Sequence, residues 1–334
     1  MHSENHESSA GVGLPASAPV AFSAPVAVPV SDALLRNLPR RAALLRALRG
    51  FFDAAGFVEV ETPVRIPAPA NEPHILPPPS GRAFLRSSPE LQMKRLLAAG
   101  MERIWQIGPC FRQGERGDRH APEFTMLEWY RAPGTAAMIL DDLLAMLPAA
   151  ARAVCGTERI RFRGAAVDLA APAEVLPVRE AYRRFAGWDP VEAWDSDRFD
   201  VDMALRIEPA LPRDRVCVLV EYPAPAAALA RLLESDPRVS ERWEAYAGGM
   251  ELANAFGELC DAVEQRRRFE AARDEKIACG EPPMPLDEEF LADLPSMPPA
   301  GGAALGVDRL AMLLADAESI DDVRPFLPPV GALW

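Results

Sequence analysis

The sequence predicts an α+β domain in which an antiparallel sheet is flanked by helices. Strand-forming runs recur between helical ones without a regular βαβ rhythm, no internal repeat is visible, and no domain boundary stands out after residue 31. With 334 residues, 49% hydrophobic and 25% charged, the composition suits a globular fold with a sizeable core.

The elements follow in order. Residues 1–31 are rich in Ala, Pro, Val and Ser and are expected to form a disordered tail, with residues 32–334 as one domain. Pro15, Pro19, Pro25 and Pro29 interrupt the apolar part of the tail and no basic segment precedes it, so it does not read as a signal peptide. Over residues 39–55, Leu44, Leu45, Leu48, Phe51, Phe52 and Ala55 recur at helical spacing. Gly56 suits the position after that helix, and residues 57–61 read as a strand halted by Pro63. Ser88 as cap, Pro89 at the first position and Glu90 against the dipole mark a second helix, which Gly100 ends. A strand is expected from Arg103 towards Arg112, and another from Glu123 to Arg131. Residues 135–215 mix helical runs with a strand signal near 160–162. Residues 216–221 read as an apolar strand, followed by an alanine-rich helix up to about Leu233. Residues 261–279 read as a charged helix closed by Gly280, and residues 301–307 as a glycine-rich strand leading into an apolar helix over 308–314.

The totals exclude several function classes. Acidic residues number 49 against 36 basic ones, a net charge of −13, which argues against a broad nucleic-acid surface. The five cysteines (Cys110, Cys155, Cys217, Cys260, Cys279) contain no C-x-x-C pair, so reduced thiols and a cytoplasmic protein are expected. Of four histidines, His2 and His6 fall in the tail, and His74 with His120 cannot build a His-rich zinc site. No apolar run is long enough to indicate a membrane span.

Three clusters carry chemistry. In residues 114–131 a charged turn runs into a strand on which Phe124, Met126, Glu128 and Tyr130 share one face and Thr125, Leu127, Trp129 and Arg131 the other. Buried acids need partners. Either Glu128 joins an internal salt-bridge network, for example with an arginine, or carboxylates and a phenol line a pocket for a cationic ligand. The turn gathers Arg112, Arg116, Arg119 and His120 around Gly114 and Gly117, which suits phosphate binding or a solvated hairpin tip. The second cluster, residues 243–261, holds Glu244, Glu251, Asn254 and Glu258. Its glycines favour a strand that sets Asn254, Phe256 and Glu258 together and Glu251 opposite, unless a bulge intervenes. Such a set suits Mg²⁺ held together with substrate phosphates, or an acidic surface. In the third, residues 301–313, small residues allow close backbone approach and Asp308-Arg309 stands at a helix start, where anions bind.

In this order the clusters resemble the class II aminoacyl-tRNA synthetases. Phe111-Arg112 followed by residues 120–128 (HAPEFTMLE) resembles their motif 2. Residues 302–312, with Gly306-Val307-Asp308-Arg309-Leu310, resemble motif 3, and the helix from Pro39 with the strand ending at Thr62-Pro63 resembles motif 1. Ser88-Pro89-Glu90-Leu91, Glu251-Leu252-Ala253-Asn254 and Phe256-Gly257-Glu258-Leu259 are similar to lysyl-tRNA synthetase. Within that group the chain most resembles the elongation factor P–(R)-β-lysine ligases, which retain only the catalytic domain. Motif 1 starts near residue 32, where no room for an anticodon-reading domain is expected; residues 127–131 read Leu-Glu-Trp-Tyr-Arg; and Ala304 stands where lysyl-tRNA synthetases have Gly. The resemblance covers residues 32–328.

The resemblance implies a class II synthetase catalytic fold and a ligase using ATP and Mg²⁺. It would activate (R)-β-lysine, or lysine less well, as an aminoacyl-adenylate and transfer it to a lysine side chain of elongation factor P. A cytoplasmic homodimer is implied, with tRNA an improbable partner. As catalytic residues, Arg112 would bind the α-phosphate and substrate carboxylate, and Arg309 the γ-phosphate. Phe124 would stack on adenine, His120 and Ala121 would lie near the triphosphate, and Leu252 and the backbone at Gly306 would line the nucleotide. Glu244 and Glu251 would hold Mg²⁺. Ser88, Pro89 and Glu90 would recognise a substrate amino group, Tyr130 and Glu258 the ε-ammonium, and Asn254 the carboxylate end, with Ala304 shaping the floor. Gly114 departs from the family, whose synthetases have an acid there, so the adenine contact falls to Glu115 or to backbone at Gln113 and Gly114. Ala121 replaces a usual Asn and Ala255 a usual Gly. The rival readings are a truncated synthetase acylating tRNA or another amine, and a non-catalytic paralogue. The Arg266-Arg267-Arg268 run could meet the acceptor protein or be a solvated helix face.

Overall fold

Helix α1 (Asp32–Ala54) begins the computed structural model, which describes residues 30–73, 75–329 and 331. The tail expected over residues 1–31 lies outside the described residues apart from Val30 and Ser31. Ser31 caps α1 by accepting from Leu34 N at 3.0 Å, so the helix starts at Asp32 rather than Pro39, and Pro39 sits inside it. A capping hydroxyl eight residues upstream of Pro39 nucleates the extra turns, and the proline costs one backbone hydrogen bond without ending them.

Four short strands follow: β1 (Val58–Glu59), β2 (Arg65–Ile66), β3 (Pro79–Ser80) and β4 (Ala83–Leu85). Helix α2 (Glu90–Ala98) takes Pro89 as its N-cap, one position earlier than the first-turn role expected, and Ser88 Oγ accepts from Glu90 N at 2.9 Å. Then come β5 (Arg103–Phe111), β6 (Glu123–Arg131), α3 (Ala136–Cys155), β7 (Arg159–Phe162), β8 (Ala165–Asp168), β9 (Glu174–Pro177) and α4 (Val178–Phe185). Helix α5 (Ser196–Asp202) passes through a π-helical turn, Met203–Ile207, into the short α6 (Glu208–Ala210). The rest comprises β10 (Cys217–Pro223), β11 (Val239–Ala247), β12 (Met250–Gly257), α7 (Ala262–Ala278), α8 (Glu288–Asp293), β13 (Gly301–Gly306) and α9 (Val307–Ala315).

The alanine-rich helix expected up to Leu233 does not form. After a single 3-10 turn at Ala224–Ala226 the chain runs extended, with Arg231 N donating to Gly257 O and Glu241 N to Arg231 O. Pro223 and Pro225 remove backbone donors there, and pairing with β11 and β12 replaces helical bonds.

Eight strands form one sheet in the order β1-β5-β6-β13-β12-β11-β10-β9. The six central strands are antiparallel, and only the edge pairs β1–β5 and β9–β10 are parallel. The pleat sorts the side chains. One face of β6 sends Leu127 and Trp129 into the main core, where Trp105 of β5 faces Trp129 across the ladder and Phe52 of α1 stacks on Trp105 at 4.9 Å. Helices α1, α3 and α9 cover this face with Leu44, Leu48, Ile139, Leu143, Leu310 and Leu313. The other face of β6 carries Phe124, Met126, Glu128 and Tyr130 and is closed by α2, α7 and α8. Phe52, fully buried between helix and sheet, packs against Phe57, Trp105 and Trp129. Phe52→Ala is expected to lower stability by about 3–5 kcal/mol in urea unfolding.

Candidate active site

A cleft of about 970 Å³ opens on the polar face of the sheet, and a cavity of about 50 Å³ lies beside it. Both are lined by Glu72, Arg112, Met126, Asn254 and Ala304, so Arg112 stands where the two meet.

The inner cavity concentrates acids. Glu72, Glu90, Glu128 and Glu258 line it with Ser88, Tyr130 and Asn254. Glu128 is 1% exposed and meets no arginine: it accepts from Ser88 Oγ and, at 2.9 Å, from Tyr130 Oη. The arginine that one of the two readings of the sequence offered Glu128 is absent, and two hydroxyls take its place. Burial, with Glu90 nearby, pushes the Glu128 carboxyl up to about 8, and burial with Glu128 nearby pushes Tyr130 well above its usual range. Glu258 faces Lys94 of α2, whose Nζ lies 2.5 Å from Glu258 Oε2 and also contacts Glu90 Oε1. Burial opposes the ammonium's charge, but Glu258 and Glu90 outweigh it and hold Lys94 above the ordinary lysine range. Burial likewise raises Glu258 to about 7 and, with Glu90, raises Glu72.

The outer cleft brings arginines, acids and an aromatic ring together. The Arg112 guanidinium lies 5.1 Å over the Phe124 ring, and its buried Nε has no hydrogen-bond partner. An orphaned guanidinium N–H beside an aromatic face fits a phosphate next to a flat base. Arg309, at the start of α9, donates to Glu251 Oε2 at 3.0 Å and lies 2.6 Å from His120 Nε2. Burial, then Arg309, lowers the His120 pKa, which keeps the ring neutral as that guanidinium's acceptor. Gly248 and Gly249, both at positive φ, make the tight turn between β11 and β12. A register shift at Tyr246↔Glu251 then leaves Leu252 as the extra residue, which turns Glu251 onto the cleft side with Asn254. Glu251 is therefore not opposite Asn254, as a regular strand would have made it.

The nucleotide residues expected from the sequence mostly converge. Arg112, Glu115, His120, Ala121, Phe124, Glu251, Leu252, Gly306 and Arg309 all line the cleft. Gln113 and Gly114 do not: Gln113 N donates to Leu76 O, and Gly114 turns the chain at φ +81°. Glu115 stays on the cleft, 3.8 Å from Arg112 Nη1. Pro89 caps α2 and lines neither space. Glu244 accepts from Arg242 at 2.5 Å and from Tyr246 Oη at 2.6 Å. Among the described residues no three His, Cys, Asp or Glu side chains are grouped to hold a metal ion alone. Glu244 and Glu251 still fit Mg²⁺ of the kind that takes one or two acids plus phosphate oxygens, because both face the cleft from adjacent strands.

Arg116 leaves the expected arginine cluster for Asp321 and Pro328 O. In the run 266–268, Arg266 pairs with Glu288 and Arg267 with Glu264, while Arg268 donates to Ala228 O and Ala230 O, so only part of it is a solvated face. Four lining or supporting residues were not singled out in the sequence: Glu72, Lys94, Glu208 and Arg242. Lys94 stands four residues after Glu90, a helical ion-pair spacing that could have flagged it; Glu72, in a proline-rich loop, has no such signal.

Gly302 lets Tyr130 lie flat. A methyl group built there would overlap the Tyr130 ring and Glu258 Oε1. Gly302→Ala is expected to tilt Tyr130 off Glu128 and to cost about 1–3 kcal/mol in urea unfolding.

Among the described residues no helix is long and apolar enough to cross a membrane. The chain is 37% identical over 311 residues to the lysine–tRNA ligase of Moorella thermoacetica, an alignment covering 86% of this chain and 64% of that protein. It is 38% identical over 326 residues to the elongation factor P–(R)-β-lysine ligase of Haemophilus influenzae (87% of this chain, 95% of that protein). It is 37% identical over 331 residues to the same-named ligase of Erwinia tasmaniensis (88% and 96%). It thus spans less than two thirds of the lysine–tRNA ligase and nearly all of the two ligases. Residues 25–328 match the family model described as tRNA synthetases class II (D, K and N). With the central antiparallel sheet and the cleft built on it, that match places the chain in the class II tRNA synthetase family.

Proposed function

We propose that the protein is an ATP-dependent, AMP-forming ligase that activates (R)-β-lysine, or lysine less well, and transfers it to a lysine side chain of elongation factor P. The observation that carries this reading is the acidic inner cavity joined, at Arg112, to a larger cleft that sets arginines beside the Phe124 ring. A cavity with four carboxylates and a phenol suits a substrate with two ammonium groups, and the adjoining cleft suits a nucleotide. The names of the ligases, aligned over 95% and 96% of their length, support the same substrate and acceptor. A cytoplasmic homodimer is part of this reading, resting on the likeness of α1 to motif 1, as is a single catalytic domain over residues 32–334.

No protein nucleophile is needed. A carboxylate oxygen of the amino acid attacks the α-phosphorus in line and pyrophosphate leaves. The acceptor amine then attacks the acyl carbon, AMP leaves, and the new amide nitrogen loses its proton. Arg112 holds the carboxylate and α-phosphate at the junction and stabilises charge that builds there, while Arg309 and His120 hold the far phosphates. Asn254 orients the carboxylate end and Phe124 covers the base. Bound by Glu244 and Glu251, Mg²⁺ would supply further charge neutralisation at the phosphates.

The deciding assay is ATP–pyrophosphate exchange, which β-lysine should drive better than lysine; exchange with neither would sink the substrate assignment. Arg112→Ala is expected to reduce exchange about 100- to 1,000-fold. Labelled acyl groups should appear on elongation factor P, and their appearance on tRNA instead would establish a truncated synthetase.

A further inference from the structure

Lys94 lies behind the cavity wall and lines neither the cavity nor the cleft. It is held between Glu90, one turn earlier on α2, and Glu258, just after β12, with side-chain exposures of 1%, 9% and 1%. The Glu258 contact is an ion pair without hydrogen-bond alignment, and Glu258 Oε2 has no other partner. A buried carboxylate–ammonium–carboxylate triad is a poor device for stability, since apolar side chains of similar volume serve as well or better. Its yield lies elsewhere: both carboxylates also face the cavity, and Glu258 keeps an oxygen free to accept.

We infer that Lys94 is a positioning residue for cation recognition, holding the Glu90 and Glu258 carboxylates in place at the cavity wall so that they meet an incoming alkylammonium that Lys94 itself never touches. This rests on reading the cavity as the amino-acid pocket. The groups facing Glu258 are Lys94 and Glu90 from α2, Glu128 and Tyr130 from β6, Arg231, and Glu72 and Arg112 across the cavity. Burial raises Glu258 to about 7 even beside Lys94, and Glu128 to about 8. The ionised forms attract the ligand, so cation affinity falls as pH drops through these values. Without Lys94, Glu258 titrates higher still and that limb moves to higher pH.

The test is the pH series of amino-acid KM in ATP–pyrophosphate exchange with the full chain. Lys94→Met is expected to raise KM about fivefold at pH 7, the loss of ionised form when one carboxyl moves from about 7 to about one unit higher. The penalty should shrink towards pH 9, KM for ATP should stay within about threefold, and Lys94→Arg should restore the amino-acid KM. A KM raised equally at every pH, or raised equally for ATP, would mean a structural role only and overturn the inference. Should Lys94→Met not fold, Lys94→Met/Glu258→Gln removes both charges together; it is expected to bind ATP normally and to lose the limb near pH 7 while keeping the one near pH 8. A double variant that keeps both limbs also overturns the inference. If the wild type gives no exchange with any diamino acid, the functional reading fails, and the same pH series read from 1,5-diaminopentane binding by calorimetry decides the role of Lys94.

Discussion

Four carboxylates meeting in a cavity of about 50 Å³ set the condition that the surrounding structure must satisfy. Like charges at that spacing, out of water, cannot all ionise unless something opposes them. The four acids have three answers between them. Glu90 and Glu258 share the Lys94 ammonium, Glu128 takes two hydroxyl donors and is raised far enough to be partly protonated near neutrality, and Glu72 faces Arg112 and Arg242 from a loop. The first two of these answers need a rigid background. It comes from the apolar side of the same sheet, where Phe52, Trp105 and Trp129 lock α1 to β5 and β6.

The two faces of one strand therefore do opposite jobs. Leu127 and Trp129 hold β6 in place by burial, and that placement puts Glu128 and Tyr130 within hydrogen-bond reach of each other. The same division recurs on β13, whose Ala303 and Leu305 enter the core while Gly302 and Ala304 floor the cavity. Asp308 ties the two strands from behind: it accepts from Thr125 N of β6 at 2.7 Å and pairs with Arg41 of α1. Its buried charge braces the framework rather than binding an anion, which the strand-to-helix pattern alone could not distinguish.

How much was legible follows from the range of the interactions. The period-two pattern of residues 123–131 is local, and the faces read from it are the faces observed. The capped helix after Ser88 and the strand–helix join at Gly306 are local as well. What escaped depends on pairing across distance. The bulge that turns Glu251 onto the cleft is a register choice between β11 and β12, which alternation along a single strand does not show. The alanine-rich stretch after β10 reads as helix by propensity, yet its backbone is claimed by β11 and β12. The hydroxyl partners of Glu128 come from Tyr130 two residues away, which was visible, and from Ser88 forty residues away, which was not.

The nucleotide end reveals a further consequence of charge bookkeeping. Arg309 with Glu251, and Arg242 with Glu244, are oppositely charged pairs in which each member is one that an anionic or cationic ligand would want. Pairing them internally satisfies the cleft's charges in advance. A triphosphate arriving with a divalent cation can take the arginine with its phosphates and the glutamate with the cation, exchanging one neutral arrangement for another. Such an exchange asks for both ligands together, because either alone would leave one partner of the Arg309–Glu251 pair unmatched. Arg112 differs, with a buried Nε that no protein acceptor takes. It stands where the cleft and the cavity join.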